Sequence, residues 1–198
     1  MSESHHSSEL ALAALVVRAR SGDATSLGQW YETEWGPVWR IALGVLANEA
    51  EAEDVAQETM LHLQTKLGDW DSKRPYAAWR NQIVINRCRD RLRRIKARKS
   101  AEERAAVASI PTQLPDPAAE AQAAETQAIL RACLGALSPR EREVFVLRDL
   151  EGRATAEVAL TLTVAESTVR SLSTLARRRM RGLLAHRFED LAIEGGGA

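Results

Sequence analysis

Residues 53–63 read EDVAQETMLHL, and the reading of this stretch decides the fold class and opens the question of function. At helical spacing Val55, Thr59, Leu63 and Leu67 form one apolar stripe, widened by Ala56 and Met60. Side chains three and four positions apart share a helix face, so Asp54, Gln57, Glu58 and Leu61 form a second one. The first face is core. The second joins two carboxylates and an amide to a leucine with no apolar company. A plain solvated face is the bland reading of it; a partner-binding face is the sharper one.

The same periodicity extends in both directions over residues 9–104. One helix is expected from Glu9 to Arg20, closed by Ser21-Gly22-Asp23. A second runs from Thr25 to Ala47, with a bend expected at Gly36-Pro37 because proline removes a helix hydrogen bond and crowds the preceding turn. A third spans Glu51 to Leu67. Then GDWDSKRPY, residues 68–76, breaks the pattern with glycine, two aspartates and proline. A fourth helix starts near Ala77 and continues through Trp79, Ile83, Asn86 and Arg87 into the basic run RDRLRRIKARK. Alternation with a period of two, bounded by turn dipeptides, is absent, so no strands are expected.

Residues 105–123 hold three prolines, many alanines and no basic residue, the composition of a linker. A helical block follows from Glu125 to Ala136. Ser138-Pro139-Arg140-Glu141 then marks a helix start, with serine at N-cap, proline at N1 and glutamate at N3. That helix ends at Glu151-Gly152. A short helix, Thr155–Leu162, a three-residue turn and a helix from Glu166 to about His186 complete a helix-turn-helix with its scaffold. The expected architecture is all-α: a disordered tail 1–8, a helical domain 9–104, a flexible linker 105–123, a helix-turn-helix domain 124–187 and a flexible tail 188–198.

A formal net charge of zero over 198 residues conceals strong asymmetry. Residues 1–69 hold eleven acids against four bases, residues 70–104 twelve bases against four acids, and residues 170–187 six arginines and no acid. Two separate basic segments, each beside a helical pattern, point to two footprints on one polyanion. Other classes are disfavoured. No apolar run reaches the roughly 20 residues of a membrane span, and the N-terminus lacks the basic and apolar regions of a secretion signal. Cys88 and Cys133 are isolated, without zinc or redox spacing, and read as buried small hydrophobes in a reducing cytoplasm. No metal or other cofactor is expected. No paired carboxylates face a pocket, no Ser/His/Asp set appears and no Gly-rich phosphate loop is present, so the chain does not read as an enzyme.

In the helix-turn-helix, Val169, Leu172, Ala176 and Met180 suit a core face of the last helix. Ser167, Thr168, Arg170, Ser171, Thr174, Arg177 and Arg178 are left outward, where a second helix meets base edges and phosphates. Many regulators share such a unit. The N-terminal domain narrows the choice. AEDVAQETMLHLQTKLGDWDSKRPYAAWRNQIVINRCRDRLRR resembles region 2 of the bacterial sigma factors of the extracytoplasmic-function class, in the sigma-70 family. LSPREREVFVLRDLEG resembles region 4 of the same class. Order, spacing and linker length agree over residues 10–185.

The resemblance implies a sigma factor: a protein that binds core RNA polymerase, directs it to promoters through their −35 and −10 elements, and helps open the DNA. It implies that Asp54, Gln57, Glu58 and Leu61 dock on the β′ clamp helices, where arginines would take the carboxylates around an apolar anchor. Region 4 would meet the β flap. A segment at Trp70 to Tyr76 would select a flipped base of the −10 element; aromatic faces stack on bases while cations hold the strand. The residues implicated are Trp70, Asp71, Lys73, Arg74, Tyr76 and Arg80, with Asn86, Arg87, Asp90, Arg91 and Arg94 along the following helix. Trp79 reads as core. Control by a separate anti-sigma factor is the family's common arrangement, and membrane insertion is not expected.

Three departures from the family pattern stand out. Met60 and Gln64 replace an aromatic pair after the Gln57-Glu58 step. The helix-turn-helix turn is Thr163-Val164-Ala165, without the usual glycine and capping serine, at a cost of about 0.5–2 kcal/mol for the cap. Leu172, Thr174 and Leu175 stand where basic residues are common, which weakens or alters −35 reading. Two rival readings remain at the level of sequence: a stand-alone helix-turn-helix regulator, and a sigma-like decoy that binds polymerase or an anti-sigma factor without reading promoters.

Overall fold

The computed structural model describes residues 2–105 and 121–194. Among these residues the regular elements are all helical: α1 Ser2–Arg20, α2 Ala24–Leu46, α3 Glu49–Lys66, α4 Tyr76–Ala105, α5 Ala121–Ala136, α6 Pro139–Phe145, α7 Thr155–Leu162 and α8 Glu166–Glu194. A 3-10 turn, Leu67–Asp69, follows α3, and a π turn, Val146–Leu150, follows α6. Helices α1 and α8 reach further than periodicity predicts, taking in residues 2–8 and 188–194 that read as tails. Polar residues extend a helix once a neighbouring apolar turn is docked. Of the expected linker, residues 106–120 lie outside the described residues.

Local chemistry sets the boundaries. The Asp23 carboxylate accepts from the Ser26 amide at 3.1 Å and starts α2. Pro37 lies inside α2 without ending it; Glu34, Val38, Ile41 and Ala42 around it are buried, and tertiary packing outweighs the lost hydrogen bond. Ala47 closes α2 in the left-handed region, φ +53°, and its amide donates to the Leu43 carbonyl at 2.8 Å. Asn48 then caps α3 by accepting from Glu51 at 3.0 Å. Ser138 and Glu141 form the expected reciprocal capping box at the start of α6. The Arg179 guanidinium reaches the same Glu141 carboxylate at 2.7 Å and ties α8 to that cap.

The core stripe of α3 is buried as its spacing requires: Val55, Ala56, Thr59, Met60, Leu63 and Leu67. Met60 is fully enclosed and Gln64 is exposed, so the core closes here without an aromatic pair. Val169, Ala176 and Met180 are buried on α8; Leu172 packs against the cluster that holds Val169, while Ala176 and Met180 belong to a second cluster with Cys133, Leu134 and Leu137. Cys88 and Cys133 are both buried free thiols.

The two halves of the chain share one core. Val16, Trp30, Val38 and Ile85 of the first half form a single apolar cluster with Val144, Val146, Leu147, Val158 and Leu162 of the second. At Gly44 the two halves approach closely: a Cβ there would stand 2.7 Å from Val146 Cγ2. Polar contacts frame the seam. Arg89 grips both oxygens of Glu143 at 2.6 and 2.7 Å, Arg40 reaches Glu151 at 2.9 and 3.3 Å, and Arg142 donates to the Val45 carbonyl at 2.9 Å.

Candidate functional site

Helix α3 presents its second face to solvent. Asp54, Gln57 and Glu58 are exposed, and Leu61 is 65% exposed. An apolar side chain that open to water, on the same face as two carboxylates, carries the chemistry of a docking anchor. The face is not isolated. Arg91 of α4 donates to Asp54 at 2.6 Å and also bonds Glu51, and Arg87 stands 3.7 Å from Glu58. The carboxylates assigned from sequence to polymerase therefore pair within the chain with two arginines assigned to DNA. Nearby His62 is held below the ordinary imidazole range by burial and by the positive Arg87 and Lys66, so it is neutral at pH 7.

The segment after α3 divides into a buried frame and an exposed loop. Trp70, Tyr76 and Arg80 are 3, 1 and 1% exposed. In this conformation their side chains are turned into the core and offer little surface to a base or a phosphate. Instead Trp70 donates from its indole to the Arg74 carbonyl at 3.1 Å and meets Tyr76 edge-on at 5.4 Å. Trp79 packs partly buried against Tyr76 at 5.6 Å. Asp71, Lys73 and Arg74 are exposed on the loop between these aromatics. The loop is ordered by its own bonds: the Lys73 amide donates to the Asp71 carboxylate at 3.0 Å and the Arg74 amide to the Asp71 carbonyl at 2.9 Å.

Beneath the loop lies a polar network that sequence reasoning missed. Trp30 of α2 donates from its indole to the Tyr76 hydroxyl at 2.8 Å, with both rings buried. The Tyr76 hydroxyl faces the Glu34 carboxylate, which accepts from Arg80 at 3.0 Å; Arg80 also donates to Asn81 at 2.9 Å. Burial pushes Glu34 above the ordinary carboxylate range, against the pull of Arg80. Burial also drives the Tyr76 phenol well above its usual value. The signal was present in the sequence: Glu34 lies on the apolar stripe Trp30-Glu34-Val38-Ile41, where an acid requires a buried partner.

Along α4, Asn86, Asp90 and Arg94 are exposed and Arg87 and Arg91 half-buried. Val55, Glu58 and these side chains, Asn86 excepted, line a narrow groove between α3 and α4. On α8, Ser167, Thr168, Arg170, Ser171, Thr174, Arg177 and Arg178 are all exposed. Arg170 pairs with Glu166 at 2.6 Å and Arg177 with Asp149 at 2.6 Å, which fixes their orientation but takes up part of their charge. The turn before α8 holds Thr163 at φ +56°, and α8 starts at Glu166, so the missing serine cap does not shift the helix start.

Known proteins align with these features. The family Sigma-70 region 2 matches residues 30–98 and Sigma-70, region 4 matches residues 127–180. The chain is 30% identical to the ECF RNA polymerase sigma factor SigM of Mycobacterium tuberculosis over 88% of its length and 85% of that protein. It is 30% identical to SigL, another ECF RNA polymerase sigma factor of M. tuberculosis, over 85% of its length and 94% of that protein. Among solved structures, CnrH in complex with the cytosolic domain of CnrY superposes with a TM-score of 0.66 at 26% identity, covering 88% of this chain and 97% of that one. The sigma factor RpoE in complex with the anti-sigma factor NepR from Bartonella quintana shares the fold, with a TM-score of 0.65 at 20% identity over 82% and 98% of the two chains.

Proposed function

The chain belongs to the extracytoplasmic-function sigma factors of the sigma-70 family, and from that membership we propose which of its surfaces carry out a sigma factor's work. Sigma factors of this class direct RNA polymerase to promoters. Here Asp54, Gln57, Glu58 and Leu61 are the docking face for the β′ clamp helices of core polymerase. The observation that carries this assignment is Leu61, 65% exposed at the C-terminal end of a helix face that carries Asp54 and Glu58. Charge-assisted hydrogen bonds from partner arginines to Asp54 and Glu58 would surround that anchor and replace the internal bonds to Arg91 and Arg87.

The exposed loop Asp71-Ser72-Lys73-Arg74 captures the flipped −10 base. Asn86, Asp90 and Arg94 line the adjoining duplex, joined by Arg87 and Arg91 once their acidic partners are engaged elsewhere. The outward residues of α8 meet the −35 element, with Arg170, Arg177 and Arg178 on phosphates and Ser167, Thr168, Ser171 and Thr174 nearer base edges. Region 4 also contacts the β flap. The protein acts by binding, without catalysis of its own, in the cytoplasm. Among the described residues no helix is long and apolar enough to cross a membrane. An anti-sigma factor is a further partner, as for RpoE of B. quintana, solved with NepR.

The test is binding to purified core RNA polymerase, wild type against a D54A/Q57A/E58A triple variant and a Leu61→Ala variant. Nanomolar binding that weakens at least tenfold, about 1.4 kcal/mol, in both variants supports the docking face. Unchanged binding in both moves the polymerase contact elsewhere.

A further inference from the structure

We propose that Trp30 and Glu34 of α2 are positioning residues for −10 base selection, acting from beneath the loop through Tyr76 and Arg80. This rests on the assignment of loop 71–74 as the base reader. Its own support is geometric. The loop is exposed along its whole length, yet both ends are anchored by aromatics that are almost fully buried, Trp70 and Tyr76. Tyr76 is the first residue of α4, directly after Pro75, so whatever fixes Tyr76 fixes the point where the loop enters the helix.

Two bonds do this from another helix, forty-six residues away in each case. The Trp30 indole holds the Tyr76 hydroxyl at 2.8 Å, and Glu34 holds Arg80 at 3.0 Å, one helical turn further along α4. The donor and the acceptor on α2, Trp30 and Glu34, are themselves one turn apart, so the pairs form consecutive rungs between α2 and the start of α4. Trp70 completes the frame from the other end by bonding the Arg74 carbonyl at 3.1 Å. A stability role alone would be met by apolar contacts. Buried polar rungs specify one register, because each group left unpaired is costly.

The consequence is preorganisation. A loop that waits in its binding shape does not lose conformational entropy when it takes an unstacked base. It also rejects a wrong base more sharply, because it cannot remodel around it. Loosening the rungs should therefore lower discrimination between bases, whereas a general packing defect should lower use of every promoter alike.

The experiment uses the full chain with core polymerase on four promoters that differ only at the captured −10 base. Each is prepared as intact duplex and with the −10 segment already mispaired. Tyr76→Phe keeps the ring and deletes one polar atom, and Glu34→Gln keeps the shape of the second rung. Trp30→Phe removes the indole N–H together with part of the ring, so Tyr76→Phe is the cleaner probe of the first rung. The expected result is a loss of base discrimination of about tenfold on both template forms, with core binding within about twofold of wild type. Hydrogen exchange at the amides of residues 71–74 should rise in the same variants. An equal fall on all four promoters, or unchanged discrimination in variants that fold and bind polymerase, overturns the proposal. A D71A/K73A loop variant separates the two levels. If it alters base preference while the α2 and Tyr76 variants do not, only the positioning role fails. If it alters nothing, the loop is not the reader and both fail.

Discussion

Arg89 on α4 and Glu143 on α6 join the two halves of the molecule through two parallel hydrogen bonds of 2.6 and 2.7 Å. The Glu143 side chain is 3% exposed and Arg89 28%. Arg140 also reaches the same carboxylate, at 3.3 Å. A nearly buried acid with a forked partner is costly to orphan. Arg89→Ala should therefore destabilise the chain by about 2–3 kcal/mol, discounted from the fully buried case because Arg89 itself meets water. Glu143→Ala should cost a similar amount, and the double variant less than the sum. Urea denaturation of the three variants measures the coupling; simple additivity would mean that the pair contributes no mutual stabilisation.

Gly44 and Val146 test the same seam by volume. A methyl added at Gly44 would stand 2.7 Å from Val146 Cγ2, and Val146 is fully buried with a stiff, β-branched side chain. Gly44→Ala should cost about 1–3 kcal/mol despite its gain in helix propensity. Val146→Ala should cost a similar amount by leaving a cavity. Combined, each change makes room for the other, and the double variant should be more stable than the sum predicts. Thermal unfolding reads the energies, and small-angle scattering shows whether Gly44→Ala alone expands the molecule.

Cys88 is fully buried on α4, next to Arg89. Burial pushes its thiol up to about 12 from an ordinary 9.0, with the negative Glu143 adding to the effect. The folded state thus holds this proton more tightly than the unfolded state does. Its contribution to stability is complete below pH 9 and is lost progressively as pH rises from 9 towards 12. Native protein at pH 8 should leave Cys88 unmodified by a thiol reagent while the seam is closed. Glu143→Ala should speed labelling. Rapid labelling of the wild type would show that this part of α4 opens freely.

These seam contacts were hidden from sequence for a physical reason. The α3 stripe Val55, Thr59, Leu63 and Leu67 and the Ser138-Glu141 cap are local patterns whose partners lie within a few turns, and both were legible. The pairing of Gly44 with Val146 crosses the linker, and no local period encodes it. Trp70, Tyr76 and Arg80 show a different limit. Aromatics interleaved with cations look alike whether they face a nucleic acid or a core, and only Trp30 and Glu34, distant in the chain, decide for burial. Sequence also placed Asp54 and Arg91 on separate functional faces, and their 2.6 Å bond appears only once α3 and α4 are packed.

Thr163 ends α7 with φ +56° and ψ +52°, a left-handed conformation that a β-branched side chain rarely adopts. The backbone gains from it: the Val164 amide donates to the Ala159 carbonyl at 3.0 Å, closing the helix as glycine usually does. The Thr163 hydroxyl offers little compensation, since its contact with Gln82 is long at 3.5 Å. Thr163→Gly should therefore stabilise the protein by about 1 kcal/mol. Ala165 precedes α8 and has no side-chain oxygen for the exposed amides of the first turn, so Ala165→Ser should add about 0.5–1 kcal/mol. The sites belong to the ends of two successive helices, and the double variant should raise the melting temperature by several degrees. Circular dichroism melts measure this directly. A lower melting temperature for Thr163→Gly would show that the Gln82 contact outweighs the backbone strain, and that the turn is held in place from α4.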